Sequence, residues 1–137
     1  IEENIALGIN KDNIDFELIK NCAEKAQLER FISNLSQGYK TFIGERGIKL
    51  SGRKKQRIGI ARALINNPDL IIFDEATSGL DLETENKVLD TIKKINRTSV
   101  IVSHRFNALK NCDKIYLLKN KKLTLLKNNK IKAYFEN

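Results

Sequence analysis

The apolar run Leu70-Ile71-Ile72-Phe73 ends abruptly in Asp74 and Glu75. Two adjacent carboxylates at the end of such a run are costly unless a metal or another cation compensates them. A buried parallel strand that presents acids to a phosphate-bound magnesium meets that condition. Ligands of open α/β sheets bind beyond the carboxyl ends of the strands, and Asp74 at such an end is suited to hold magnesium, directly or through water. Neighbouring strand residues point opposite ways. Glu75 is therefore predicted to lean toward a water attacking a terminal phosphate, as base or as orienting group. An Asp-Glu pair on its own reads as a strand end with two solvated acids. The apolar residues before it and Ala76-Thr77-Ser78 after it favour the hydrolytic reading.

His104 is the only histidine and closes a second apolar segment, Ile101-Val102-Ser103-His104. At the same sheet edge as Asp74, it is placed to hydrogen-bond the terminal phosphate and the attacking water. Ser51 and Gly52 sit at a loop-to-helix junction, where free amides and the helix dipole bind phosphate; the plainer alternative for Ser51 is an ordinary helix cap. Gly47, Gly52, Arg53 and Lys54 nearly spell a phosphate-cradling loop. Arg replaces its Lys, however, Lys54 replaces its magnesium-binding hydroxyl, and no apolar strand leads into it, so that reading is rejected.

These groups need elements to hold them. Residues 15 to 35 read as helical, with Asp15 as cap and Leu18, Ile19, Cys22, Ala23 and Ala26 on one face. Leu28, Phe31, Ile32 and Leu35 continue the pattern on a second short helix. Residues 36 to 50 read as a glycine-bearing loop. A helix is predicted from Arg53 to Asn66, with Ile58, Ala61, Leu64 and Ile65 inward, until Pro68 breaks it. Asp69 to Phe73 form a strand and residues 74 to 81 a turn. Asp81 caps a helix from Leu82 to Asn96 whose stripe is Val88, Leu89, Ile92 and Ile95. In this helix Glu83 and Glu85 suit the first turn, and Lys93 and Lys94 the last. A strand over Ser99 to Val102, a short helix, and a hairpin over Lys114 to Leu126 complete the chain. Strand, helix, strand, helix, strand predicts a parallel sheet covered on its faces. The first 50 residues hold no clear strand and are predicted to form a separate helical lobe.

With 137 residues, 41% of them hydrophobic, the chain can bury a core. It opens at Ile1 inside a stretch that already reads as ordered, which predicts the C-terminal piece of a longer polypeptide. No apolar stretch approaches the ~20 residues of a membrane helix, and no signal-peptide pattern is present. Cys22 and Cys112 lack metal or redox spacing and read as reduced thiols. The net charge is +8, and eight lysines against two acids in residues 110–137 account for +6 of it. That tail has no aromatic interleaving for base stacking and reads as a solvated surface.

In this order the motifs resemble the C-terminal two-thirds of an ABC-transporter nucleotide-binding domain. Residues 50–56, LSGRKKQ, are similar to the signature LSGGQ; residues 70–75, LIIFDE, to the Walker B strand; residues 78–81, SGLD, to the D-loop; and His104 to the switch histidine. Residues 3–8 resemble the stretch after the Q-loop of exporter-type members. Residues 41–47, TFIGERG, resemble the exporter loop that touches the transmembrane domains.

The resemblance implies an α/β fold: a partial RecA-like parallel-sheet core of a P-loop NTPase over about residues 67–137, and an α-helical signature subdomain over about 1–66. It implies a head-to-tail dimer with a second ABC ATPase domain, docked on a transmembrane domain at the cytoplasmic face of the cell membrane, with ATP and Mg2+ as cofactors. Ser51 and Gly52, with Arg53 and Lys54 beside them, would meet ATP held by the opposite subunit. Asp74 would serve Mg2+, Glu75 and His104 would serve hydrolysis, and Ser78 and Asp81 would lie at the dimer seam. The chain departs from the family pattern in lacking Walker A, the Q-loop and the adenine-stacking aromatic, so by itself it is expected to bind ATP poorly. Arg53 stands where the signature has its second Gly, and Lys54 where it has Gln. Arg53 would either obstruct the nucleotide or add charge that holds phosphate. Two rivals follow, a soluble ABC ATPase acting on nucleic acid, against which TFIGERG argues, and a non-catalytic subunit that completes a partner's site.

Overall fold

A computed structural model describes residues 1–10, 13–44, 50–126 and 134–135. Among the described residues the elements follow in the order α1 (Glu2–Ile5), α2 (Phe16–Lys25), α3 (Glu29–Ser33), α4 (Gly52–Ile65), β1 (Leu70–Asp74), α5 (Leu82–Lys94), β2 (Thr98–Val102), α6 (Phe106–Leu109), β3 (Tyr116–Lys119) and β4 (Lys122–Leu125). A 3-10 turn, Gly38–Lys40, lies in the expected loop. Glu45 to Gly47 of the TFIGERG segment, and most of the basic tail beyond Leu126, lie outside the described residues.

Local chemistry sets the helix limits. The Asp15 carboxylate accepts from the Glu17 and Leu18 amides and starts α2. Gln27, Asn67 and Asn96 take left-handed backbone just past α2, α4 and α5, and Pro68 follows the second of these. Asn tolerates that conformation better than other non-glycine residues, which makes it a common helix stop.

One continuous hydrophobic cluster joins the N-terminal helices to the strands. It runs from Ile1, Ile5, Ile19 and Leu28 through Ile58, Ala61 and Ile65 to Ile71, Phe73, Val88 and Ile92. α4 is its spine, packed on α1 and α2. Arg62 of α4 donates to the Asn4 carbonyl at 2.7 Å, and Arg57 donates to the Gln27 carbonyl at 2.7 Å. The inward set predicted for α4 is buried, together with Ile60.

Strands β1 and β2 pair in parallel, Leu70 opposite Thr98 through Asp74 opposite Val102. Two expectations need correction. First, among the described residues only one face of the sheet is covered. Ile71 and Phe73 are buried, whereas Leu70, Ile72, Val100 and Val102 are exposed. Side chains alternate across a strand, and the described helices supply packing to the Ile71/Phe73 side. Second, the third strand does not extend this sheet. β3 pairs antiparallel with β4 through a two-residue turn, Asn120-Lys121, both residues left-handed. A turn of that hand matches strand twist and favours the local partner.

Candidate functional site

β1 and β2 run in register to the same edge, so Asp74 lies opposite Val102, two residues before His104. Glu75 then leaves the strand with φ of +47°. Left-handed backbone at a non-glycine residue costs energy and persists only where its surroundings over-determine it. Here the Glu75 amide donates to the Val102 carbonyl at 3.0 Å, and the Glu75 carbonyl accepts from the Ser78 amide and hydroxyl at 3.1 and 2.8 Å. The twist turns the Glu75 side chain toward His104. Its Oε1 accepts from the His104 amide at 3.1 Å and lies 2.8 Å from His104 Nδ1. With a hydrogen on Nδ1 the ring donates to this oxygen, since a carboxylate only accepts. The other carboxylate oxygen, Oε2, is buried without a hydrogen-bond partner among the described residues. Asp74 is exposed beside it. Asp74, Glu75 and His104, predicted separately from two segments, thus share one edge.

The turn after Glu75 is held from outside. Gln56 of α4 donates through Nε2 to the Ser78 hydroxyl at 3.3 Å and accepts from the Gly79 amide through Oε1 at 3.2 Å. A Cβ at residue 79 would approach Gln56 Oε1 to 2.6 Å, so glycine makes room for this bridge. Asp81 caps α5 as expected, accepting from the Thr84 amide at 3.0 Å and from its hydroxyl at 2.9 Å. These bonds hold the Asp81 carboxyl below its ordinary pKa.

Glu85 lies in the first turn of α5 as expected, and its side chain is also fully interior, 0% exposed. It accepts from Thr77 Oγ1 at 2.9 Å and Asn107 Nδ2 at 2.7 Å, and pairs with Arg105 at 3.0 Å. A buried charge demands such partners. Arg105 also donates to the carbonyls of Thr77 at 3.1 Å and Ser78 at 3.3 Å. Sequence reasoning missed Gln56, Thr77, Glu85, Arg105 and Asn107. One signal was present for Glu85, which falls on the helical phase of Val88, Leu89 and Ile92. Gln56 and Arg105 carry no comparable spacing signal.

The start of α4 is more open. Ser51 is its N-cap residue, yet its hydroxyl makes no capping bond. Ser51, Gly52 and Arg53 are exposed. Arg53 acts electrostatically on Asp81 and lowers its pKa further. Lys54 instead lies over the Phe31 ring, 4.2 Å from its centroid. It is thus engaged with the helical side rather than presented with Ser51.

Among the described residues no cluster of three or more His, Cys, Asp or Glu forms a metal cage. Magnesium does not require one, because it is usually bound by one or two carboxylates, water and substrate phosphate oxygens. Exposed Asp74 suits that donor set. A polar cavity of about 260 Å³ lies between residues 1–4 and 40–44 and includes none of the predicted site residues. Asp74, Glu75 and His104 lie instead at the strand edge. Cys22 and Cys112 are free thiols, both pushed up in pKa by burial. No helix among the described residues is long and apolar enough to cross a membrane.

Comparison with known proteins agrees with the motif order. A family model described as ABC transporter matches residues 1–78. ABC transporter B family member 15 of Arabidopsis thaliana is 45% identical over 125 residues, covering 90% of this chain and 10% of the relative. Member 21 is 46% identical over 122 residues, covering 88% of this chain and 9% of the relative. The structure of a bacterial Atm1-family ABC exporter with ATP bound superposes with a TM-score of 0.81 at 40% identity, covering 89% of this chain and 21% of that one. The chain spans only about a tenth of the length of these Arabidopsis relatives. Its α/β architecture is part of the P-loop NTPase fold of an ABC exporter. The family model covers more than half of the 137 residues, and the chain belongs to the ABC transporter family.

Proposed function

We propose that this chain serves as part of the nucleotide-binding domain of an exporter-type ABC transporter, where ATP binding and hydrolysis drive transmembrane transport of a lipid, lipid-linked sugar or peptide. The observation that carries the reading is the grip of His104 on Glu75 Oε1, at 2.8 Å from the ring and 3.1 Å from the amide, at the edge where Asp74 also ends. In this reading Asp74 holds Mg2+, whose contribution when bound is to neutralise phosphate charge. Glu75 orients or deprotonates the attacking water, and His104 steers Glu75 and faces the terminal phosphate. Ser51 and Gly52, with Arg53 beside them, face ATP of a second ABC ATPase domain in a head-to-tail dimer. Ser78 and Asp81 line the seam. The domain works on the cytoplasmic face of the membrane, coupled to a transmembrane domain. About residues 1–66 act as the helical signature lobe and 67–137 as part of the RecA-like core.

Phosphate release from ATP by the full-length protein tests this. Glu75→Gln should lower turnover about 10²-fold or more while leaving nucleotide binding intact; turnover equal to wild type would refute the assignment. A second reading, a non-catalytic subunit that completes a partner's site, draws on Arg53 at the exposed start of α4 and on Lys54 turned to Phe31. Turnover by the full-length protein without a partner, abolished by Glu75→Gln, would exclude it.

A further inference from the structure

Residues 103–105 grip residues 75–78 at two adjacent points. His104 holds the Glu75 side chain, and Arg105 holds the next two carbonyls of the turn, Thr77 and Ser78. The Arg105 guanidinium is itself anchored on Glu85 at 3.0 Å, and Glu85 is fully buried with Thr77 and Asn107 as further donors. The Arg105 amide in turn donates to the Ser103 hydroxyl at 3.1 Å, which shapes the same loop. One planar cation therefore ties a buried carboxylate on α5, the backbone of the turn, and the loop that carries His104.

We propose that Arg105 is a positioning residue, a clamp seated on Glu85 that fixes the 76–80 turn against the His104 loop and so sets the register between Glu75, Ser78 and His104. This rests on the reading of Glu75 and His104 as the hydrolytic pair. Two features give the clamp its purpose. Glu75 sits in strained left-handed backbone, which needs restraint to persist. Ser78, whose carbonyl Arg105 holds, also donates to the Glu75 carbonyl, so displacement of the turn is passed to Glu75. Lysine would not replace this residue, because a point charge cannot reach two carbonyls and a carboxylate in one plane as the guanidinium fork does.

The test compares Arg105→Gln and Arg105→Lys with wild type and Glu75→Gln in the full-length protein, by ATP turnover and by amide hydrogen exchange. Arg105→Lys keeps a cation on the buried carboxylate and covers the case in which Arg105→Gln fails to fold. In both variants kcat should fall about 10-fold to 100-fold, with KM within about twofold of wild type, as expected for misplacement of reacting groups rather than lost binding. Exchange at the Gly79 and Leu80 amides should accelerate about tenfold, while α4 between Ile58 and Leu64 keeps its wild-type protection. Wild-type kcat in Arg105→Lys, or wild-type exchange at Gly79 and Leu80, would overturn the proposal. If Glu75→Gln leaves turnover unchanged, the hydrolytic reading fails instead. The exchange arm then still decides whether Arg105 clamps the turn.

Discussion

The edge formed by residues 74–81 and 103–105 is laced together by side chains from α4, α5 and the loop after β2, whereas the start of α4 leaves Ser51, Gly52 and Arg53 exposed. Both regions were singled out from the sequence as phosphate contacts, the first for the subunit's own ATP and the second for ATP held by an opposite subunit. The difference lies in what each has already spent its polar groups on. At the first, the turn carbonyls and the Glu85 carboxylate are engaged, and a strained Glu75 is held in place through one oxygen. Groups fixed in advance cost no reorganisation when charge develops. At the second, Ser51 makes no capping bond and Ser51, Gly52 and Arg53 are exposed, the form expected of a surface that is completed from across an interface.

The comparison is most directly broken by exchanging its costs. His104→Ala should lower ATP turnover of the full-length protein by about 10³-fold, and by more than Ser51→Ala does. A larger loss for Ser51→Ala in the same phosphate-release assay would reverse the ranking. Stability sharpens the contrast. Glu85→Ala strips the partner from Arg105 and two further donors and should cost about 3 kcal/mol in denaturant unfolding. Ser51→Ala, with no capping bond to lose, should stay within about 0.5 kcal/mol of wild type.

A smaller effect is expected at the Gln56 bridge. Gly79→Ala pushes a methyl group against Gln56 Oε1 and should cost about 1 kcal/mol, the order of one hydrogen bond. Adding Gln56→Ala should cost much less than the sum of the two changes, since both remove the same contact. Full additivity in that double-mutant cycle would show the bridge is not made. Smallest is an acid effect at Asp81. Its folded pKa is depressed by the Thr84 bonds, so its stabilising contribution is present above the unfolded value, roughly 3.9, and is lost as pH falls through the folded value. Thermal melts across that range should show a steeper acid limb for wild type than for Asp81→Asn, and identical limbs would exclude the cap as its cause.

Much of this was legible residue by residue. An apolar run closed by Asp74 and Glu75 identifies a strand tip by composition alone. A lone histidine after Ile101-Val102 marks a second tip, and Asp15 and Asp81 announce their helices because a cap is a contact over three residues. Elements whose stabilising contacts are local, including the hairpin turn at Asn120-Lys121, could be read in the same way. That the described helices pack only one face of the β1–β2 pair could not, since a continuous apolar run looks the same whether one side or both are packed.

The chain's linear order determined which residues carry reactive groups, where helices begin and end, and that two strand ends bear acids and an imidazole. Tertiary structure alone decided that Glu75 takes a φ of +47° and meets His104, that Lys54 lies over Phe31, and that Glu85 is interior. It also brought Gln56 and Arg105 to the same turn from 23 and 27 residues away, to Gly79 and Ser78 respectively. The reason is physical: capping and turn energies act within a few neighbours, whereas the partner of a buried charge is whichever donor folding carries to it.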